Sequence, residues 1–186
     1  FSAAVAANKS ITFVGSQTSG PATVAGKSFP KGNEGHSGYT MYDNSKASGI
    51  AGAITDNAIK NYKPNIILLM IGTNDMHYSV DLANAPTRLG QLLDEILTDA
   101  PNTLLVVANV IPANGTQNGL TQTFNAAVPG VIQARASKGK HIVGVDMYAA
   151  MKSWSTTIYK DSEHPNDAGY SIMANVWFNA IKTLLP

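Results

Sequence analysis

The sequence predicts an α/β domain with a doubly wound parallel sheet and helices on both of its faces. Short apolar runs alternate with stretches of helical periodicity along the chain, the order expected of repeated strand–helix–strand crossovers. Of those runs, 65–72 is apolar on both faces, 103–110 reads as the next buried strand and 141–146 as the last strand. Strands of a parallel sheet read that way because helices cover both faces. With 186 residues, 44% of them apolar, the chain is long enough for one core of ordinary size, and no linker, repeat or second core is visible.

Taken in order, the first ten residues (FSAAVAANKS) read as the tail of an amphipathic helix. They have neither the basic start nor the long apolar stretch of a signal peptide. Residues 11–15 (ITFVG) predict a strand, β-branched and stopped by glycine, and 16–44 predict a polar loop. Apolar positions at Ile50, Ala53, Ile54, Ala58 and Ile59 make a helical stripe over 47–62. After the strand at 65–72, a helix over 83–99 carries Leu89, Leu92, Leu93, Ile96 and Leu97 on one face. The strand at 103–110 leads through a loop to a helix over 120–138, which Pro129 interrupts or divides. The strand at 141–146 precedes a last helix over 166–184. Asn166 is its N-cap, and it buries Ile172, Met173, Val176, Trp177, Ala180, Ile181 and Leu184.

Composition narrows the function classes. Charged residues make up 13% and the net charge is +1, so nothing electrostatic favours nucleic acid or an anionic membrane as a partner. No apolar run approaches the roughly 20 residues of a spanning helix. Cysteine is absent, which removes disulfides, thiolate metal sites and a cysteine nucleophile. Few Lys and Glu against many Asn, Thr, Ser and Gly is typical of secreted proteins, and the sequons at Asn8 and Asn114 are compatible with export.

Three polar loops carry chemistry-bearing residues, and working groups in open parallel sheets gather at the carboxyl ends of strands. The loop holding NEGHSGY can bring the Gly35 backbone N–H close to a substrate, or be a flexible turn. In GTNDMHY, Gly72 permits a sharp turn and Asn74 offers a neutral donor suited to an oxyanion, with Asp75 bracing the loop. Ordinary turn chemistry accounts for the same residues. In DSEHPND, Asp161 and His164 fit two readings equally: a helix-start cap beside a solvated histidine, or an acid orienting a base.

In this order, EGHSG, IGTND and DSEHPNDAGY resemble the later blocks of the SGNH (GDSL-type) hydrolase superfamily. ITFVGSQTSGP, EGHSGYT and FNAAVPGVIQ look closer still to carbohydrate esterase family 3, whose members include acetylxylan esterases, and the resemblance runs from Ile11 to the end. It implies a flavodoxin-like SGNH-hydrolase fold, with Gly35 and Asn74 as oxyanion donors and Asp161 and His164 as triad members. It implies no metal or organic cofactor.

One block does not match. The family places its nucleophilic serine in Gly-Asp-Ser at the end of the first strand, and no Gly-Asp-Ser occurs in this sequence. Ser37 lies in the oxyanion loop, Ser162 is too near His164, and Ser16 and Ser19 follow the wrong strand, so none is a good substitute. The resemblance puts the family's first strand in mid-sheet, between the runs at 11–15 and 65–72. Its loss would leave two rows of unpaired backbone groups. The expectation is a single catalytic domain over 1–186 that is incomplete at its N-terminal side, with a segment before Phe1 or a second chain supplying the serine.

The resemblance thus implies a secreted serine esterase removing O-acetyl groups from xylan or a related polysaccharide. Tyr39, Tyr78 and Trp154 are candidates to line a sugar cleft or to pack. Two rivals remain: a carbohydrate-binding pseudoenzyme that has lost its nucleophile, and an SGNH lipase or thioesterase.

Overall fold

The computed structural model describes all 186 residues. Helix α1 (Ser2–Ala6) comes first. Two small antiparallel ladders follow, β1 (Gln17–Thr18) with β4 (Gly32–Asn33) and β2 (Thr23–Val24) with β3 (Lys27–Ser28). Helix α2 (Ile50–Gly52) runs through a π-helical stretch (Ala53–Ala58) into α3 (Ile59–Tyr62). Then come β5 (Ile66–Met70), α4 (Thr73–His77), a 3₁₀ turn (Leu82–Asn84), α5 (Ala85–Asp99) and β6 (Leu104–Ala108). The chain ends with α6 (Gln117–Ala136), β7 (Ile142–Val145), α7 (Met147–Met151) and α8 (Asp167–Ile181).

The three long apolar runs form one parallel sheet in the order β5-β6-β7, with Ile66 opposite Leu104 and Leu105 opposite Ile142. Alternate residues of each strand serve opposite faces. Leu69, Leu105 and Val107 join the larger core, which contains Leu89, Leu92, Leu93 and Ile96 of α5 and Phe124, Val128 and Ile132 of α6. On the other face Val106 meets Ala4, Ile181 and Leu185. Further along that face Ala108 meets Met147, Met151, Tyr159 and Met173. Helices therefore pack against both faces of the sheet. Leu92 and Leu93 are fully buried, each contributing about 1.5–3 kcal/mol relative to an exposed leucine.

The structure corrects several expectations. Residues 11–15 form no strand: no ladder runs beside them, and Val14 is 41% exposed. For the same reason β5, expected to be buried on both faces, is buried only at Leu69, because its second edge pairs with nothing. The polar stretch expected to be a loop contains the two ladders, the inner one turning through Ala25 and Gly26, both with positive φ.

Helix α6 passes through Pro129 without a break. Buried Phe124, Val128 and Ile132 on either side of it anchor the helix strongly enough to absorb the lost hydrogen bond. Leu184 is 59% exposed, because α8 stops at Ile181, three residues short of the expected end. Helix α7 was hidden because five residues leave too short a periodic signal; Asp146 caps it by accepting from the Ala149 amide.

Candidate active site

The turn between α7 and α8 brings an acid and a base together locally. One oxygen of Asp161, Oδ1, accepts from the backbone amides of Glu163 at 2.9 Å and His164 at 2.7 Å. The His164 ring nitrogen Nδ1 lies 3.0 Å from both carboxylate oxygens. A carboxylate only accepts, so this geometry assigns the proton to Nδ1 and leaves Nε2 with a bare lone pair. Nε2 makes no hydrogen bond within the chain, and the His164 side chain is 61% exposed. The amides of Glu163 and His164, with the imidazole, hold the Asp161 carboxyl down at about 2. It is thus ionised at neutral pH, as an acid that steadies an imidazolium must be.

What leads into and out of the turn fixes it further. Lys160 N–H donates to the His164 carbonyl at 3.0 Å, and the Trp154 indole N–H donates to the Asp161 carbonyl at 2.8 Å. The Asn114 amide, beyond β6, donates to the Ser162 carbonyl at 3.0 Å. Asn166 caps α8 as expected, its Oδ1 accepting from Ala168 N at 2.9 Å and Gly169 N at 3.2 Å. Trp154 therefore packs and bonds beneath the acid rather than standing free as a sugar platform. Its partly buried ring also lies 6.3 Å from Tyr159.

At the end of β5 the chain turns into α4 through Gly72, whose φ of +123° suits glycine. A Cβ there would meet Phe124 at 2.8 Å. Asn74 Nδ2 donates to the Tyr39 carbonyl at 2.9 Å, which leaves its second N–H for another acceptor. Asp75 is fully buried and braces the loop from both oxygens: Oδ2 accepts from the Met41 amide at 3.1 Å and Oδ1 from Arg88 Nη2 at 2.9 Å. Burial pushes its carboxyl up, against the pull of Arg88 and the Met41 amide. A turn-capping role alone would have left it near solvent.

In the first loop, Gly35 N–H donates to Asn33 Oδ1 at 2.9 Å, so in this conformation that amide is engaged within the chain. His36 stacks on Tyr39 with ring centres 4.8 Å apart, and its Nε2 lies 2.8 Å from Glu34 Oε2. The same carboxylate accepts from the Ser16 hydroxyl at 2.9 Å and the Ser16 amide at 2.5 Å. Partial burial alone would raise the Glu34 carboxyl, but His36 and Ser16 hold it below its ordinary value. A carboxylate thus stands between Ser16 and His36, and the ring is not placed to take the hydroxyl proton.

Of the four implied site residues, Asp161 and His164 are paired directly. Asn74 reaches the first loop through Tyr39, while Gly35 is held by Asn33, and neither bonds to His164. The three loops are nonetheless tied together: Met41 to Asp75, Lys46 Nζ to the Tyr78 carbonyl, and His77 Nδ1 to Glu163 Oε1 at 2.6 Å. No serine hydroxyl hydrogen-bonds to His164. Ser16 bonds to Glu34, and Ser19 Oγ accepts from Asn33.

Glu163, His77, Asn33 and Glu34 were not singled out from sequence, although each lies inside or beside one of the three motifs. Their partners are 86 residues away for His77 and Glu163 and 18 for Glu34 and Ser16, and motif spacing does not encode such distances. Two shallow cavities lie elsewhere. One of ≈ 520 Å³ sits at the amino ends of the strands, against Asn65, Leu104 and Ile142, and one of ≈ 590 Å³ lies between α5 and α6. The chemistry is at the opposite, carboxyl edge. Nowhere do three or more His, Cys, Asp or Glu side chains converge as a metal site would require.

Comparison with known proteins identifies the family and the fold. The model of the GDSL-like Lipase/Acylhydrolase family matches residues 10–172. A putative endoglucanase X of Acetivibrio thermocellus is 32% identical over 123 residues, 66% of this chain and 52% of that protein. A multidomain esterase of Ruminococcus flavefaciens is 31% identical over 133 residues, 68% of this chain and 17% of that one. The chain thus spans about half the length of the first of these relatives and a much smaller part of the second. Among solved structures, a Clostridium thermocellum family 3 carbohydrate esterase superposes with a TM-score of 0.80 at 30% identity, over 99% of this chain and 85% of its own. An acetyl esterase mutant solved with an acetate ion superposes at 0.78 and 26% identity, over 98% of this chain and 85% of its own.

Proposed function

The chain belongs to the GDSL-like lipase/acylhydrolase family, and on that premise we propose that it is the base-bearing part of a serine esterase removing O-acetyl groups from xylan or a related plant-wall polysaccharide. The observation that carries the reading is the Asp161–His164 pair, with Nδ1 bound to an ionised carboxylate and Nε2 bare toward solvent. Similarity to family 3 carbohydrate esterases and to an acetyl esterase supports the acetylated-carbohydrate substrate.

In this reading a serine hydroxyl attacks the acetyl carbonyl while His164 Nε2 takes its proton, and Asp161 stabilises the resulting imidazolium. The oxyanion accepts from the free N–H of Asn74 and from Gly35 N–H once Asn33 Oδ1 releases it. His164 then returns the proton to the departing sugar oxygen, and water hydrolyses the acetyl-enzyme by the same steps. We place the serine on a strand that lies along the open edge of β5, supplied by an upstream segment or a second chain. Two features support that placement: β5 is apolar on both faces yet paired on one side only, and residues 11–15, of strand composition, pair with no strand. We also place the protein outside the cell, on its composition.

The test is acetate release from acetylated xylan by the full-length gene product and by its His164→Ala variant. Release abolished by the substitution supports the esterase; none from a full-length protein that carries Gly-Asp-Ser refutes it. The lack of any serine against His164 in these 186 residues favours one rival, a carbohydrate-binding protein without hydrolysis. Saturable xylan binding with no acetate release would favour that rival.

A further inference from the structure

We propose that Glu163 and His77 form a positioning strut that holds the Asp161–His164 turn at a set distance from Asn74. Neither residue touches the reacting atoms in this account, so both are positioning residues, and the inference rests on the hydrolytic reading above.

The geometry comes from where the two side chains stand. Glu163 lies between the acid and the base, and its backbone amide donates to Asp161 Oδ1 at 2.9 Å. Its side chain, 15% exposed, leaves the turn to meet His77 Nδ1 at 2.6 Å. His77 follows Asn74 by three residues on α4, one helical turn along, so the two share a side of that helix. A charge-assisted hydrogen bond across 86 residues thus joins the oxyanion element to the acid–base element. The other bonds to the turn lead elsewhere: Trp154 belongs to the segment after α7, Asn114 to the loop after β6, and Lys160 to the turn itself.

The strut matters because packing does not hold His164. Its side chain is 61% exposed, so the position of Nε2 follows the turn that carries it. Displacement of a reacting group by about 1 Å can cost on the order of 100-fold in rate.

Glu163→Ala and His77→Ala, each in the full-length protein, are expected to lower kcat for acetate release by about 10- to 100-fold, with KM and Tm little changed. The double variant should lose no more than the worse single one, because either substitution cuts the same bond. Glu163→Gln, whose amide oxygen still accepts from His77 Nδ1, and His77→Asn, whose amide donates from a similar position, should recover most of the loss. Multiplicative losses, a loss carried by KM or Tm, or Glu163→Ala activity within about twofold of the parent would overturn the strut. A second readout needs no turnover: nuclear Overhauser contacts in this chain, by NMR, between the backbone of residues 74–77 and the 161–164 turn. They should weaken in Glu163→Ala while His164 keeps its Nδ1–H form, which Asp161 alone fixes; unchanged contacts overturn the strut. If the full-length parent releases no acetate, the hydrolytic reading falls and the NMR comparison alone decides the strut.

Discussion

Asp75→Ala removes the only carboxylate in the structure that is wholly buried and bonded from both sides. Truncation strands the Met41 amide and leaves Arg88, 14% exposed, without its buried counter-charge. Breaking a buried pair by deleting one partner costs about 3–5 kcal/mol. Arg88 keeps the carbonyls of Val80 and Asp81, each at 2.7 Å, and the Asp81 carboxylate at 3.6 Å, which points to the low end, about 3 kcal/mol. For a chain of this size each kcal/mol lowers Tm by about 2–4 °C, so the expected fall is roughly 6–12 °C. Urea unfolding should show the same loss as a lower midpoint with an unchanged slope. A loss below about 1 kcal/mol would refute the claim that this carboxylate braces the loop. The double variant Asp75→Leu/Arg88→Met gives an internal control, because it strands no charge and should recover much of the stability.

His164→Ala should lower kcat for ester hydrolysis by about 10⁴-fold or more with the fold intact; a smaller loss would mean that another base serves. Asp161 lies at about 2 in the folded chain against an ordinary 3.8, so its stabilising contribution is complete above that ordinary value and is lost as pH falls towards 2. Asp161→Asn should flatten that part of the stability profile, and an identical profile would contradict the local bonding described. Asn166→Ala removes the cap of α8 and should cost about 1 kcal/mol in chemical denaturation. Leu92→Ala, at a position with no exposure, should cost about 2–5 kcal/mol.

The parts of the fold that were legible in the sequence are those whose burial is periodic. The stripe Leu89, Leu92, Leu93, Ile96 and Leu97 named the buried face of α5, and the three apolar runs named the sheet. Asn166 marked the start of α8 because an N-cap is a local chemical need. Where a partner decides the outcome, the same reasoning failed. Residues 11–15 have strand composition and no ladder, and Pro129 sits within a helix that its neighbours hold together.

The acid–base pair was readable for a comparable reason: Asp161 and His164 meet within one turn. Asp75 read as a possible brace, but its two partners, Met41 and Arg88, come from other elements. The engagement of Gly35 by Asn33 depends on side-chain rotation, which residue spacing does not specify.

The same division between near and far bonds sets an order in time. Asp161 meets His164 across three residues, whereas Asn74 waits for Tyr39 across 35 and His77 for Glu163 across 86. Closing a short turn takes well under a microsecond, while pairings across long stretches of chain wait for the sheet that brings them together. A refolding chain therefore samples the acid–base contact long before the oxyanion donors are in place. Chemical competence should return only with the last long-range closure, after the secondary structure has formed.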